Sequence, residues 1–249
     1  MSAMSPLGAA SELRLPSSVH PQHFGLAPGS RPMRGYLRRG RTPSWNGQFA
    51  SHKALGPALF ESLLDRDFQT LICADWRIHR YAVQAHELTY FTPAEHGGRA
   101  KRTYTPDIVA IDHQGQVIII EVKAAWFAKQ AAWTRREPYI REAYAFDHGA
   151  RFLLFTEEQI RLQPRLANCE LMLRHRPPPH DTEADLAIRD AVTAVGACVS
   201  IGEICGAAAG LSEERRFSAL MRLALRGTVT LDLDRPLSRA TRVTIWGRP

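Results

Sequence analysis

Cysteine is scarce in this 249-residue chain, and its four cysteines are widely spaced. None lies in a C-x-x-C pair, so the sequence offers neither a disulfide framework nor the usual spacing of a structural zinc site. Long apolar runs are also missing, since stretches such as 117–120 extend over only a few residues, far fewer than the roughly 20 that a membrane-spanning helix needs. The N-terminus shows no charged region followed by an apolar stretch. We therefore expect a cytoplasmic protein without a membrane partner.

Acidic residues are scarce near the N-terminus. Residues 1–50 hold six arginines against one acid, Glu12, and so carry +5 of the chain's net charge of +7. Proline and glycine interrupt this stretch, which predicts that 1–49 form a flexible basic arm with Arg38 and Arg39 as DNA contacts. A solvated tail explains the composition equally well. The positive balance favours double-stranded DNA as the partner over an acidic small molecule.

Apolar spacing indicates how the middle of the chain folds. Between 57 and 72 apolar side chains recur at three- and four-residue steps, which predicts a helix. We expect an extended segment over 81–91 and a polar loop with two glycines over 96–102. A hairpin of β-branched strands is predicted over 107–112 and 116–123. The stretch 126–146 is predicted to be mainly helical with an interruption at Pro138, and 151–155 to be a buried strand.

Three successive prolines within 174–181 cannot continue a helix, so this segment is predicted to be a linker. It separates a domain over 50–173 from a smaller one over 182–249. The smaller domain should contain helices over 184–195 and 201–208, and a third helix between the N-cap Ser212 and Gly227. Two strands, over 228–233 and 241–246, should follow it. Three helices and a hairpin form the outline of a winged helix, whose third helix usually faces DNA. The third helix carries three candidate DNA-binding residues: Arg215, Arg216 and Arg222. A winged helix can also dock a protein partner, so both functions stay open for this domain.

The clearest chemical pattern lies on the predicted hairpin. Asp107 follows a proline at the start of one strand, whereas Glu121 and Lys123 lie two residues apart on the next and therefore on one face. Carboxylates hold hard ions such as Mg²⁺, with Mn²⁺ as a substitute, and such ions promote phosphodiester hydrolysis. Lys123 would orient the attacking water or stabilise the transition state. A surface ion pair is the simpler alternative, but charges on so apolar a strand favour a metal-dependent DNA endonuclease.

These residues also resemble a known family. The run F-E-S-L-L-D-R-D-F at 60–68, Gln84, the Y-T-P-D ending at Asp107 and the E-V-K ending at Lys123 are similar in order and spacing to TnsA. TnsA is the endonuclease subunit of heteromeric bacterial transposases, and the similarity covers about 34–161. It implies an α/β fold of the PD-(D/E)xK kind over 50–173, with a restriction-endonuclease-like mixed sheet flanked by helices. It also implies cleavage at the 5′ side of transposon ends beside a DDE transposase resembling TnsB and an AAA+ ATPase resembling TnsC.

The first helix departs from the family pattern, where an L-E-R-D-F stretch normally carries a glutamate. This chain has Asp65 at that position, with Glu61 one turn earlier on the predicted helix as an alternative acid. The resemblance thus implies Asp107, Glu121 and Asp65 as metal ligands. Gln84 takes the place of a family glutamine and is expected beside the site.

The loop over 96–102 is expected to contact phosphates rather than to catalyse, through Arg99, Lys101 and Arg102. Two other functions remain open. The same hairpin could serve a repair, resolvase or restriction nuclease. Alternatively, the shorter Asp65 could mark a catalytically weak subunit that binds DNA or a protein partner.

Overall fold

The structure is a computed structural model that describes residues 20–33, 45–176, 181–195, 198–208 and 210–245. The predicted DNA contacts Arg38 and Arg39 lie outside these ranges. The chain divides into two compact units. The sheet unit is the described part of Pro6–Gln69 and Arg77–Ile160, and the helical unit is the described part of Thr70–Trp76 and Arg161–Pro249.

Strands dominate the sheet unit. They are β1 (Gly47–Gln48), β2 (Leu59–Phe60), β3 (Ile78–Val83), β4 (Leu88–Pro93), β5 (Arg99–Tyr104), β6 (Ile108–Asp112), β7 (Val117–Val122) and β8 (Arg151–Phe155). A mixed four-stranded sheet has the order β3-β6-β7-β8, in which only β7 and β8 run parallel. β1 pairs with β2, and β4 pairs with β5, as separate antiparallel hairpins. The chain is thus a mixed α/β protein.

Helices cover both faces of the four-stranded sheet. The sheet unit contains α1 (Leu63–Ala74, which continues into the helical unit), α2 (Ala125–Ala128), α3 (Ala131–Thr134), α4 (Glu137–His148), α5 (Glu157–Ile160) and a short 3-10 helix at Pro21–Phe24. On one face Ile119 belongs to an apolar core with Ile140 and Tyr144 of α4. On the other, the ring of Phe68 in α1 lies 4.9 Å from that of Phe155. Because both faces are buried, β7 needs the nearly continuous apolar sequence that it has.

The β6–β7 hairpin confirms the prediction, and its register pairs Ile108 with Ile120. Asp112 closes the connecting turn by accepting from the backbone N–H groups of Gln114 and Gln116, both at 2.8 Å. β8 also forms where a buried strand was predicted. Local patterning was therefore sufficient for the two central strands, β6 and β7, because β-branched side chains suit a buried pleated surface.

The predicted helix over 57–72 begins too early. Its first part is strand β2, which pairs with β1, and the Phe49 N–H donates to the Ala58 carbonyl at 2.8 Å. The helix α1 starts only at Leu63, after Ser62. Long-range strand pairing therefore overrides an apolar spacing that is also compatible with a helix.

Three further local predictions were wrong. The extended segment over 81–91 is broken into β3 and β4, because Gln84 has a positive φ of 48°. The polar loop over 96–102 is shorter than expected, since β5 begins at Arg99 and Gly97 and Gly98 make the turn. Pro138 lies in the first turn of α4 and does not interrupt the helix. A proline is tolerated there because the backbone N–H that it lacks would have no partner within the helix.

The helical unit contains the three helices and the hairpin that were predicted for the end of the chain, preceded by one further helix. Its helices are α6 (Arg165–Arg174), α7 (Thr182–Ala194), α8 (Ile201–Ala207) and α9 (Glu213–Leu225), and its strands are β9 (Cys198–Ser200), β10 (Val229–Leu231) and β11 (Arg242–Ile245). Ser212 caps α9 by accepting from the Arg215 N–H, as expected. β9 was not predicted, and it joins the hairpin in the order β10-β11-β9.

The boundary between the units lies near Arg161, before the predicted linker over 174–181. Helix α6 belongs to the helical unit because its side chains bind there. The Asn168 amide donates to the carbonyls of Leu233 and Arg235 at 2.9 and 2.8 Å. His175 contacts the Ser218 hydroxyl at 2.9 Å.

Across the described part of the chain, every helix is too short or too polar to cross a membrane.

Gly227 offers a test of the end of α9. It has a positive φ of 76°, and a Cβ there would lie 2.7 Å from ring atoms of Trp76. We expect Gly227→Ala to lower the free energy of unfolding in a urea titration by roughly 2–4 kcal/mol, from backbone strain plus the clash. Gly210→Ala is the matched control, because Gly210 also has a positive φ but has no neighbour within 4 Å of the added atom. Equal losses in the two variants would contradict the close packing of Trp76.

Candidate active site

Glu121 is the most buried acidic group on the central sheet, with 4% of its surface exposed. It lies near the end of β7, and both of its carboxylate oxygens have partners. Oε1 is 2.6 Å from Nζ of Lys123, and Oε2 accepts a short hydrogen bond from the Tyr104 hydroxyl. Burying an unpaired carboxylate would be costly, and these two partners offset that cost.

Lys123 follows β7 and points to the same side of the sheet as Glu121, as strand alternation predicted. Its backbone N–H donates to the Phe155 carbonyl at 2.9 Å, which continues the pairing with β8. Its ammonium also lies 4.5 Å from the ring centroid of Trp133, where an aromatic face attracts a cation. The side chain keeps 21% of its surface exposed, so Lys123 is held in place and still reaches solvent.

Asp107 lies directly before β6, and its Oδ2 accepts from the Val122 N–H at 2.8 Å. This bond joins Asp107 to the strand end that carries Glu121 and Lys123. Loss of water around the carboxyl raises the pKa of Asp107 well above its usual range, and the charges of Glu121 and Asp65 raise it further. The structure therefore brings Asp107, Glu121 and Lys123 together.

Tyr104 ends β5 and is buried in the core beside α4. Burial, followed by the charges of Glu121 and Asp107, raises the pKa of its phenol well above the ordinary value. The hydroxyl therefore stays protonated at neutral pH and remains a donor to Glu121. Tyr104 is the residue through which the β4–β5 hairpin fixes the orientation of the buried carboxylate.

Gln84 contacts the candidate site through its backbone. Its N–H donates to the Asp107 carbonyl at 2.9 Å, and its own carbonyl accepts from the Met33 N–H at 2.7 Å. The side chain is buried, and the positive φ ends β3 at this point. Gln84 thereby helps to fix the chain at Asp107.

Asp65 occupies the first turn of α1 and caps the helix. Its N–H donates to the Ser62 hydroxyl oxygen at 3.1 Å, and its Oδ2 accepts from that hydroxyl and from the Glu61 N–H at 2.9 and 3.2 Å. Reciprocal bonds of this kind stabilise the start of a helix. Burial raises the pKa of Asp65, and these hydrogen bonds oppose the rise.

Glu61 precedes α1, so its predicted place one turn earlier on the same helix was wrong. The reason is that residues up to Phe60 pair with β1. Glu61 nevertheless lies beside Asp65, since its N–H donates to Asp65 Oδ2 at 3.2 Å. Its charge adds to the effect of burial in raising the pKa of Asp65. The charge of Asp65 is among the causes that raise the pKa of Asp107, after burial and the charge of Glu121.

Among the described residues, no three His, Cys, Asp or Glu side chains are grouped closely enough to hold a metal ion. The predicted trio of Asp107, Glu121 and Asp65 is therefore not assembled as a ligand set. A magnesium ion, however, needs only one or two protein carboxylates when water and phosphate oxygens complete its shell. The donor chemistry of Asp107 and Glu121 fits that smaller site, because two carboxylates adjoin there. A cation would offset their mutual repulsion, which adds to the effect of burial in raising the pKa of Asp107.

No model of a known protein family matches this chain, and no curated protein has a significantly similar sequence.

The three arginines predicted to contact DNA from α9 are engaged within the helical unit. Arg222 is buried and its guanidinium lies 2.5 Å from Asp185, so it is not available to a groove. Arg215 is 2.7 Å from Asp181 and 2.5 Å from Glu183. Arg216 donates to the Cys205 carbonyl at 2.7 Å. The prediction failed for Arg222 because helix position alone does not identify the acids that face it.

The basic residues of the β4–β5 hairpin remain exposed. Arg99, Lys101 and Arg102 lie on β5, and no ion pair with a described acid involves any of them. Residues 99 and 101 share one strand face with the exposed Phe91 of β4. These cations lie on a strand and not in the predicted loop, and their contact with phosphates stays a prediction.

Tyr104 and Trp133 were not identified as site residues from the sequence. Tyr104 stands in the Y-T-P-D run, so its position before Asp107 was the available signal. Trp133 had none, because its contact with Lys123 depends on how α3 folds back onto the strand end.

The raised pKa of Asp107 predicts a pH-dependent cost to stability. Because the folded state binds this proton more tightly, the free energy of unfolding should fall as pH rises through the raised pKa. In metal-free buffer at pH 8, Asp107→Asn should therefore be more stable than wild type by on the order of 1 kcal/mol. The gain should shrink toward pH 4 in urea titrations. The exposed Asp147→Asn is the control. An Asp107→Asn variant that is no more stable at pH 8 would contradict this electrostatic picture.

Proposed function

We propose that this chain is a metal-dependent DNA endonuclease that resembles TnsA and hydrolyses a phosphodiester at the 5′ side of transposon ends. The observation that carries the proposal is the ion pair of Lys123 and Glu121 beside Asp107, at the adjoining ends of β6 and β7. The mixed sheet flanked by helices supports a restriction-endonuclease-like fold. The three helices and hairpin of the helical unit likewise support a winged-helix-like domain.

Each site residue has a role that follows from its contacts. A divalent cation held by Asp107 and Glu121 would supply an activated water and offset charge on the phosphate. Tyr104 keeps Glu121 in one orientation by donating to Oε2. Lys123 can exchange its contact with Glu121 for a water or a phosphate oxygen, since its side chain is paired with Glu121 and still partly exposed. Trp133 restrains that ammonium as it changes partners.

Charge supports a DNA substrate. The chain carries a net charge of +7, and Arg99, Lys101 and Arg102 extend along the exposed strand β5, which leads to Tyr104 and the site. Phosphate contacts of this kind position a duplex without reading its sequence. A site that cuts at transposon ends would therefore depend on partner proteins, for which a TnsB-like transposase and a TnsC-like ATPase are the candidates.

A second function is favoured by the contacts and the spacing of the acidic residues. Asp65 is engaged in capping α1, and no described trio of acidic side chains is grouped for a metal. A catalytically weak subunit that binds DNA or a partner would have these features. Cleavage activity separates this alternative from the endonuclease.

Nicking of supercoiled plasmid DNA in Mg²⁺ or Mn²⁺ tests the endonuclease directly. We expect wild-type protein to nick, alone or with its transposase and ATPase partners. Lys123→Ala should lower the rate at least about 100-fold because it removes the group that acts on water or phosphate. Phe146→Ala, on the exposed side of α4, is the control and should retain full activity. Absence of metal-dependent nicking under all these conditions would favour the binding subunit.

The role of Asp65 can be separated from its cap. Asp65→Asn keeps an oxygen that can accept from the Glu61 N–H but removes the charge, so a metal-ligand role predicts a rate loss of about 100-fold or more with little loss of stability. A purely structural role predicts nicking close to wild type. Glu61→Gln, measured in parallel, should leave the rate unchanged, and a large loss there would identify Glu61 as the functional acid.

A further inference from the structure

The segment 123–136 directly follows the candidate catalytic strand and is unusually basic. It contains four cations and no acid, in the sequence K-A-A-W-F-A-K-Q-A-A-W-T-R-R. Lys129, Arg135 and Arg136 are exposed. No described carboxylate forms an ion pair with any of these three. The segment therefore presents uncompensated positive charge next to the site.

Two large aromatic side chains in this segment are exposed as well. Trp126 and Phe127 in α2 have 66% and 57% of their surfaces accessible, and their rings meet edge to face at 4.8 Å. Burying such side chains against a partner is favourable in free energy, because it removes a large apolar surface from water. Exposed aromatic groups among cations are the combination that binds nucleic-acid strands, through ring contacts and phosphate contacts respectively.

The geometry ties this segment to the candidate catalytic centre. The ring of Trp133 has the Lys123 ammonium 4.5 Å from its centroid and the Arg136 guanidinium 5.0 Å from it. The buried indole of Trp133 thus contacts a cation from each end of the segment. Trp126 lies only three residues after Lys123 and is fixed to α2, whose first N–H, that of Ala125, donates to Glu157 at 2.7 Å.

We propose that Lys123, Trp126, Phe127, Lys129, Arg135 and Arg136, the basic aromatic strip, hold duplex DNA against the cleavage centre. The proposal rests on the endonuclease function and specifies how that site takes its substrate. Arg136 binds a phosphate close to the scissile one, and its planar guanidinium can contact two phosphate oxygens. Trp126 and Phe127 lie against sugars or partly unstacked bases at the cleavage point, as apolar wedges do in other DNA-binding proteins.

The test is DNA binding in a background that cannot cut. Glu121→Gln protein is titrated into a fluorescein-labelled 30-base-pair duplex in EDTA, and anisotropy is measured at several salt concentrations. Adding Arg136→Gln should weaken binding several-fold and lower the slope of log K against log salt by about one. Adding Trp126→Ala with Phe127→Ala should weaken binding at least about fivefold and leave that slope unchanged.

Matched controls remove one charge and one aromatic ring at positions outside the basic aromatic strip. Arg189→Gln takes one exposed charge from the helical unit, and Phe146→Ala takes one exposed aromatic ring from α4. Both should keep affinity within about twofold of the background protein, and thermal unfolding of every variant establishes that it is folded.

The outcomes separate this proposal from the function on which it rests. Losses specific to the strip support it, even if the wild-type protein proves unable to nick DNA. Strip variants that bind like the controls overturn it, even if wild type nicks DNA, and would leave the strip as a surface for a protein partner. Failure of the Glu121→Gln protein to bind duplex DNA at all would overturn it too.

Discussion

A carboxylate buried on the central strand of the sheet is the constraint around which the sheet unit is arranged. Glu121 lies among apolar side chains, where an ionised group is stable only if its charge is met. Lys123 meets the charge directly, and Tyr104 donates to the remaining oxygen. Lys123 directly follows β7 and Tyr104 ends β5. The position of the β4–β5 hairpin, the end of β7 and the buried acid therefore depend on one another.

Asp107 stands in contrast to Glu121, since its neighbours do not fully balance its charge. Burial and the charges of two nearby acids raise its pKa, and the Val122 N–H and the charge of Lys123 offset only part of that rise. Proteins tolerate such destabilising groups mainly where function needs them, because the same group would be more stable as an amide. A bound cation would relieve this repulsion, which links the local cost in stability to the proposed chemistry.

The sequence was sufficient for features determined by local patterning. Alternation along 116–123 placed Glu121 and Lys123 on one face, and β-branched strands around a tight turn predicted the hairpin. The sequence was insufficient where contacts between segments far apart in the chain determine the structure. Pairing of β1 with β2 moved the start of α1 and removed Glu61 from the helix, and Ser62 engaged Asp65 in a cap. The acids that bind Arg215 and Arg222 come from α7, and no spacing within α9 indicates them.

Direct metal binding is the measurement closest to the central claim that Asp107 and Glu121 share a hard cation. Titration of Mn²⁺ into the DNA-free protein, followed by calorimetry or by the loss of free-ion paramagnetic resonance, gives the number and affinity of bound ions. We predict at least one site whose affinity falls about tenfold or more when Asp107→Asn and Glu121→Gln are combined. Equal binding by wild type and this double variant, or none by either, would contradict the account.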